Sequence, residues 1–195
     1  TRQLELYQCI KWNSKCFLVN ISLRSTLLPL SLRTARTSTQ PRPSSSSSAS
    51  LINELRNLTW SPNSTNKIFL DGLKNKLIKE FKGDIQIKSE VKYGNNTRFD
   101  FLVYNKYFKA FVEVKNVTLM RKSKVAEFPD AVTSRGTKHI QELIKAKNEG
   151  YDVYIAFVIQ REDCKKFQIA YDIDKEYFNT LSEAVKKKLK ILCYD

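Results

Sequence analysis

The stretch that most constrains the fold is Arg98-Phe99-Asp100-Phe101-Leu102-Val103-Tyr104, then Asn105-Lys106, then Tyr107 to Val117. Aromatic and β-branched residues crowd both halves and Asn-Lys interrupts them, which predicts two strands around a short turn. A tight turn centred on Asn105 and Lys106 pairs Tyr104 with Tyr107, Asp100 with Phe111 and Arg98 with Glu113. A loop of two or four residues preserves that register, whereas an odd-length loop slips it by one. Alternation then gathers Phe99, Phe101, Val103, Val112 and Val114 on an apolar face and Asp100, Glu113 and Lys115 on the other.

Two carboxylates and an ammonium at one end of a sheet suit metal-assisted phosphodiester hydrolysis. Asp100 and Glu113 would hold Mg²⁺ through hard oxygen ligands, and Lys115 would orient the attacking water or offset charge on the phosphorane. Glu-x-Lys on a strand is also an ordinary solvated charge pair. The hairpin context with Asp100 is what raises the triplet above that reading.

A formal charge of +14 points to a polyanionic partner, with nucleic acid ahead of a membrane surface. Hydrophobic residues make up 42% of the chain, enough for a core. The cysteines, Cys9, Cys16, Cys164 and Cys193, are scattered without a C-x-x-C, and there is a single histidine. That pattern indicates neither a zinc site nor a disulfide framework, and it fits a reducing, cytoplasmic setting. No apolar run approaches the roughly eighteen residues needed to span a bilayer, so no membrane partner is expected. The chain begins with Thr1 and not Met, as a fragment would.

In chain order, Gln3 to Ile10 and Lys15 to Ile21 read as two strands that need a surface to pack on. Residues 22–62 differ in kind: from Cys16 to Asn66 every basic residue is arginine, and from Lys67 onward lysine dominates. The middle of this segment, around Pro41-Arg42-Pro43 and Ser44 to Ser48, is low-complexity and is expected to be a disordered insertion or linker. Residues 63–82 predict a helix with Asn63 or Ser64 as its cap. Ile68, Phe69, Leu73, Leu77, Ile78 and Phe81 form its stripe and Gly83 its stop. Asp71 lies close to that stripe, either as a solvated acid in the N-terminal half of the helix or in a catalytic role. Ile85 to Val91 alternate as a strand.

Met120-Arg121-Lys122-Ser123-Lys124 is a basic cluster, and Ala126 to Gly136 reads as a structured loop. A helix from Thr137 to about Asn148 buries Ile140, Leu143 and Ile144 and carries His139. Val153 to Ile159 reads as a strand buried on both faces, ending at Gln160. Lys166 to Ala170, a helix from about Asp174 to Leu189, and a strand from Lys190 to Tyr194 complete the chain. The class is α/β, a mixed sheet flanked by helices.

Glu90-Val91-Lys92-Tyr93-Gly94, Arg98-Phe99-Asp100-Phe101 and Val112 to Leu119 carry a resemblance, as do Phe128-Pro129-Asp130-Ala131 with Thr133, Arg135-Gly136 and Lys138-His139. With Phe157 to Asp163, these strings resemble the sugar fermentation stimulation protein A (SfsA) family over residues 63–195. The resemblance implies a restriction-endonuclease-like, PD-(D/E)xK core over that range. Asp100, Glu113 and Lys115 fall on its motif, Asp71 stands where the family tends to have Glu, and Gln160 ends the next core strand. It also implies an N-terminal OB-like domain, of which residues 1–21 look like the last part, with 22–62 inserted at the junction.

Family members are described as non-specific DNA-binding proteins linked to the regulation of sugar use. The expected contacts to DNA are Arg98, Arg121, Lys122, Lys124, Arg135 and Lys138. A Mg²⁺-dependent nuclease is the alternative, and a truncated remnant without activity the third reading.

Overall fold

The computed structural model describes residues 7–12, 15–20 and 62–195. The insertion expected over 22–62 and the outer parts of the first hairpin therefore lie outside the described residues. The strands are β1 (Tyr7–Trp12), β2 (Lys15–Asn20), β3 (Gln86–Tyr93), β4 (Thr97–Tyr104), β5 (Lys109–Val117), β6 (Leu119–Lys122), β7 (Val125–Phe128), β8 (Asp152–Ile159), β9 (Lys166–Ile169) and β10 (Lys190–Tyr194). The helices are α1 (Pro62–Lys74), α2 (Ser134–Asn148) and α3 (Lys175–Lys186). The class is mixed α/β, as the sequence predicts.

The main sheet runs β10-β8-β5-β4-β3. β3, β4 and β5 are antiparallel neighbours, while β5, β8 and β10 run parallel. One apolar cluster joins Phe101, Val103, Val112 and Val114 to Phe69 and Leu73 of α1. The other joins Phe111, Val117, Ile155 and Phe157 to Ile140 and Leu143 of α2 and Tyr177 and Leu181 of α3. β5 and β8 are thus covered on both sides, which is why β8 is a nearly unbroken apolar run. A second sheet, β1-β2-β9-β7-β6, takes in the N-terminal hairpin, with β2 parallel to β9.

Three expectations are corrected. The helix predicted to 82 ends at Lys74. Lys76, at φ 57°, turns the chain into the left-handed region, where Leu77 N–H reaches the Gly72 carbonyl and Lys76 N–H that of Leu73. This is a Schellman stop with lysine where glycine is usual. Ile78 and Phe81 are buried from the following turn and not from a helix face.

The stretch read as a loop after Val125 contains β7, which pairs with β6 and β9. Four-residue strands are too short to show a period.

The central hairpin closes by a four-residue loop, Asn105 to Phe108, whose Asn105 side chain accepts the N–H groups of Tyr107 and Phe108. The register consequently moves by two: Tyr104 pairs with Lys109, and Phe111 faces Leu102 in place of Asp100.

Candidate active site

Strand β4 does not alternate cleanly. Leu102 packs with the cluster beneath α2, Phe101 and Val103 with the one beneath α1, yet Phe99 rejoins the α2 side. The strand therefore turns over at Asp100, and Phe99 leaves the apolar face expected for it. Regular pairing with β5 ends at Phe101 and Val112. Just beyond, Asp100 Oδ2 accepts the Val114 N–H at 2.7 Å, and Oδ1 accepts the Asn66 side-chain amide of α1 at 2.9 Å.

Glu113 is 4% exposed. Its Oε1 accepts from Lys115 Nζ at 2.8 Å and from His139 Nδ1 on α2. An ionised carboxylate only accepts, so His139 must donate through Nδ1. Glu113 Oε2 is buried and has no hydrogen-bond partner. Burial pushes Glu113 upward, but the His139 hydrogen bond and the Lys115 charge outweigh it and leave the carboxyl below its usual value. Asp100 stands above its usual value, first from desolvation and then from the Glu113 charge, against the bonds from Val114 and Asn66.

Gln160 N–H continues from β8 onto the Val117 carbonyl, and its side chain donates to Thr65 Oγ1 at 2.7 Å. It thereby fastens the first turn of α1, whose next residue, Asn66, holds Asp100. Asp71 is five positions further along α1, about 140° round the helix from Asn66, and is exposed. The helix residue on Asp100 is Asn66 and not Asp71. Among the described residues, no three His, Cys, Asp or Glu side chains converge to hold a metal ion by themselves.

The residues present nevertheless fit Mg²⁺. That ion takes one or two carboxylates and keeps several waters, and here one carboxylate oxygen, Glu113 Oε2, is buried without a partner beside a second carboxylate, Asp100.

A cleft of about 670 Å³ opens beside this cluster, lined by Lys92, Arg98, Arg135 and Lys138, by Asn95 and Asn96 of the β3–β4 turn, and by His139. His139 is the link, lining the cleft and touching Glu113. Thr133 caps α2 by accepting the Gly136 N–H at 3.0 Å, so the positive end of the helix also faces this cleft through Ser134 and Arg135. Arg98, expected opposite Glu113, instead pairs across to Lys92 and lies 3.6 Å from Glu90.

Arg121 is elsewhere, bonded to buried Glu127 at 2.8 Å and to Asp172. Lys122 and Lys124 are exposed around the β6–β7 turn. Neither Asn66 nor Lys92 carries a site signal in the sequence, and a single histidine on a helix, His139, is as readily a satisfied residue as an aid to proton transfer. The available signal was that His139, Leu143 and Ala146 share one stripe.

The family model for the sugar fermentation stimulation protein RE domain matches residues 63–195. The chain belongs to the SfsA family. Among curated SfsA relatives, the sugar fermentation stimulation protein homolog of Pelagibacter ubique is 51% identical over 129 residues, which are 66% of this chain and 56% of that protein. The homolog of Desulfotalea psychrophila is 41% identical over 141 residues, 71% of this chain and 59% of that one. The chain thus spans somewhat more than half the length of these relatives. Among solved structures, SfsA of Pyrococcus furiosus in complex with Ca²⁺ is similar at a TM-score of 0.62 and 30% identity, over 67% of this chain and 56% of that one. No helix among the described residues is long and apolar enough to cross a membrane.

Proposed function

We propose that this SfsA chain binds DNA through its basic cleft without reading sequence, and that it hydrolyses phosphodiester bonds at Asp100, Glu113 and Lys115 with Mg²⁺. The observation that carries the reading is the buried, unpartnered Glu113 Oε2 beside Asp100, joined through His139 to a cleft with four cationic side chains. A purely structural carboxylate buried this deeply would be expected to have both oxygens satisfied.

Lys92, Arg98, Arg135 and Lys138 hold phosphates; such contacts position a nucleic acid and carry no base code. Asp100 and Glu113 hold the cation. When bound, Mg²⁺ supplies a Lewis acid for the phosphoryl oxygen and lowers the pKa of an attacking water. The Lys115 ammonium, fixed at 2.8 Å from Glu113, orients that water and offsets charge on the phosphorane. Asn66 and Gln160 keep Asp100 and the first turn of α1 in place. The Ca²⁺ complex of the Pyrococcus relative supports hard-cation chemistry on this fold. Any effect on sugar use, to which the relatives' name refers, would in this reading act through nucleic acid.

The test is Mg²⁺ calorimetry on wild type, Asp100→Asn and Glu113→Gln, followed by incubation with plasmid and single-stranded DNA. Mg²⁺ binding lost in both variants, with nicking by wild type alone, is the expected result. A folded wild type that binds DNA but no Mg²⁺ would leave only the sequence-indifferent binding protein.

A further inference from the structure

Among the described residues, two buried side-chain oxygens, Glu113 Oε2 and Tyr177 Oη, have no hydrogen-bond partner. Tyr177 is 0% exposed. A buried phenol without a partner costs free energy that a phenylalanine would avoid, so its hydroxyl calls for an explanation.

The placement of the ring supplies one. Tyr177 N–H is held by Asp174 Oδ1 at 2.8 Å, and Asp174 Oδ2 accepts the N–H of Thr133, the cap of α2, also at 2.8 Å. One carboxylate thus joins the N-termini of α2 and α3 and fixes Tyr177 against α2. A Cβ at Gly136 would come within 3.1 Å of Tyr177 Cε2, the carbon bonded to the one that bears the hydroxyl. One turn along the same face of α2 is His139, on Glu113. Phenol and carboxylate therefore flank one turn of one helix, and the charge of Glu113 acts on Tyr177 strongly enough to help raise its pKa, after desolvation.

We infer that Tyr177 is a positioning residue for Glu113: one buried water joins Tyr177 Oη to Glu113 Oε2 and holds the carboxylate in the orientation that receives the cation. A buried water needs a polar site and two or more partners, and these two atoms provide them. A carboxylate oxygen accepts more than one bond, so the bridge leaves room for a metal. Outer partners of this kind fix the ligand's orientation, and losing one typically weakens metal binding about 10–100-fold. The positioning role rests on the metal-site reading above; the bridge itself does not.

The decisive measurement is a double-mutant cycle in the metal-free protein, comparing the unfolding constants of wild type, Tyr177→Phe, Glu113→Gln and the double variant. Phenylalanine keeps the ring that fills the core and removes only the hydroxyl. Coupling of roughly threefold or more is expected; additive effects overturn the bridge, whatever the protein does with metal. In Mg²⁺ titration, Tyr177→Phe is expected to bind at least about 10-fold more weakly than wild type. Equal affinity in a wild type that does bind overturns the positioning role. A wild type that binds no Mg²⁺ sinks the metal-site reading and leaves the cycle to decide the bridge.

Discussion

The Val114 N–H is bonded at 2.7 Å to Asp100 Oδ2, just past Phe101 and Val112, the last regularly paired residues of the hairpin. A side chain stands in for the ladder at the point where the sheet opens toward the site. Asp100→Ala would leave that N–H and the Asn66 amide without an acceptor. It is expected to cost about 1–3 kcal/mol of stability. Asp100→Asn keeps an acceptor for Val114 and is expected to cost less, so the two variants should separate in urea denaturation while both lose Mg²⁺ binding.

The two carboxyls carry opposite pH dependence. Glu113 lies below its usual value, so the stability it contributes is present above the ordinary glutamate pKa and is lost as pH falls through the lowered one. Asp100 lies above its usual value. Its contribution is full below the ordinary aspartate pKa and fades as pH rises through the raised one. Metal-free Asp100→Asn should therefore gain stability relative to wild type as pH rises through the mildly acid range. Denaturation of both proteins between about pH 4 and 7 checks this. Proton and cation compete for Asp100, so wild-type Mg²⁺ affinity should fall as pH drops through the same range, and a flat profile would count against Asp100 as a ligand.

The parts of the fold legible in the sequence are those where a single period decides the outcome. β8 and β10 are buried runs and begin and end within a residue of where they are read. The end of α1 was hidden because the left-handed stop falls on Lys76, a residue type that carries no such signal. β6 and β7 were hidden because their pairing depends on a distant strand and on the Arg121–Glu127 pair. At the site, Asp100, Glu113 and Lys115 were legible from spacing. That Asp100 reaches the site through a break in alternation was not, and neither was His139, whose partner is 26 residues away.

Arg121 stands apart from the other basic residues. Its guanidinium holds Glu127, a carboxylate with 0% side-chain exposure, and also meets Asp172. Arg121→Ala would leave Glu127 with the Gln168 amide as its remaining side-chain donor. Uncompensated burial of that kind costs on the order of 3 kcal/mol. The variant is therefore expected to unfold at clearly lower denaturant while the surviving folded protein binds DNA nearly as well as wild type. A large loss of DNA affinity without loss of stability would instead make Arg121 a phosphate contact.

Arg135 and Lys138 should behave in the opposite way. Both lie in the first turns of α2, exposed, lining the cleft with Lys92 and Arg98. Neither has an ion-pair partner among the described residues. Replacing either with alanine removes a charge from the cleft without opening a buried group, so stability should change by no more than about 0.5 kcal/mol. Each phosphate contact releases counterion, and its loss should flatten the plot of log affinity against log salt by about 0.9 for duplex DNA. The double variant should then lose nearly twice that slope, equally on unrelated sequences, because phosphate contacts carry no base information. Fluorescence anisotropy with two unrelated duplexes across a salt series measures both quantities. An unchanged slope would remove these residues from the interface, and a loss confined to one sequence would mean that the cleft reads bases.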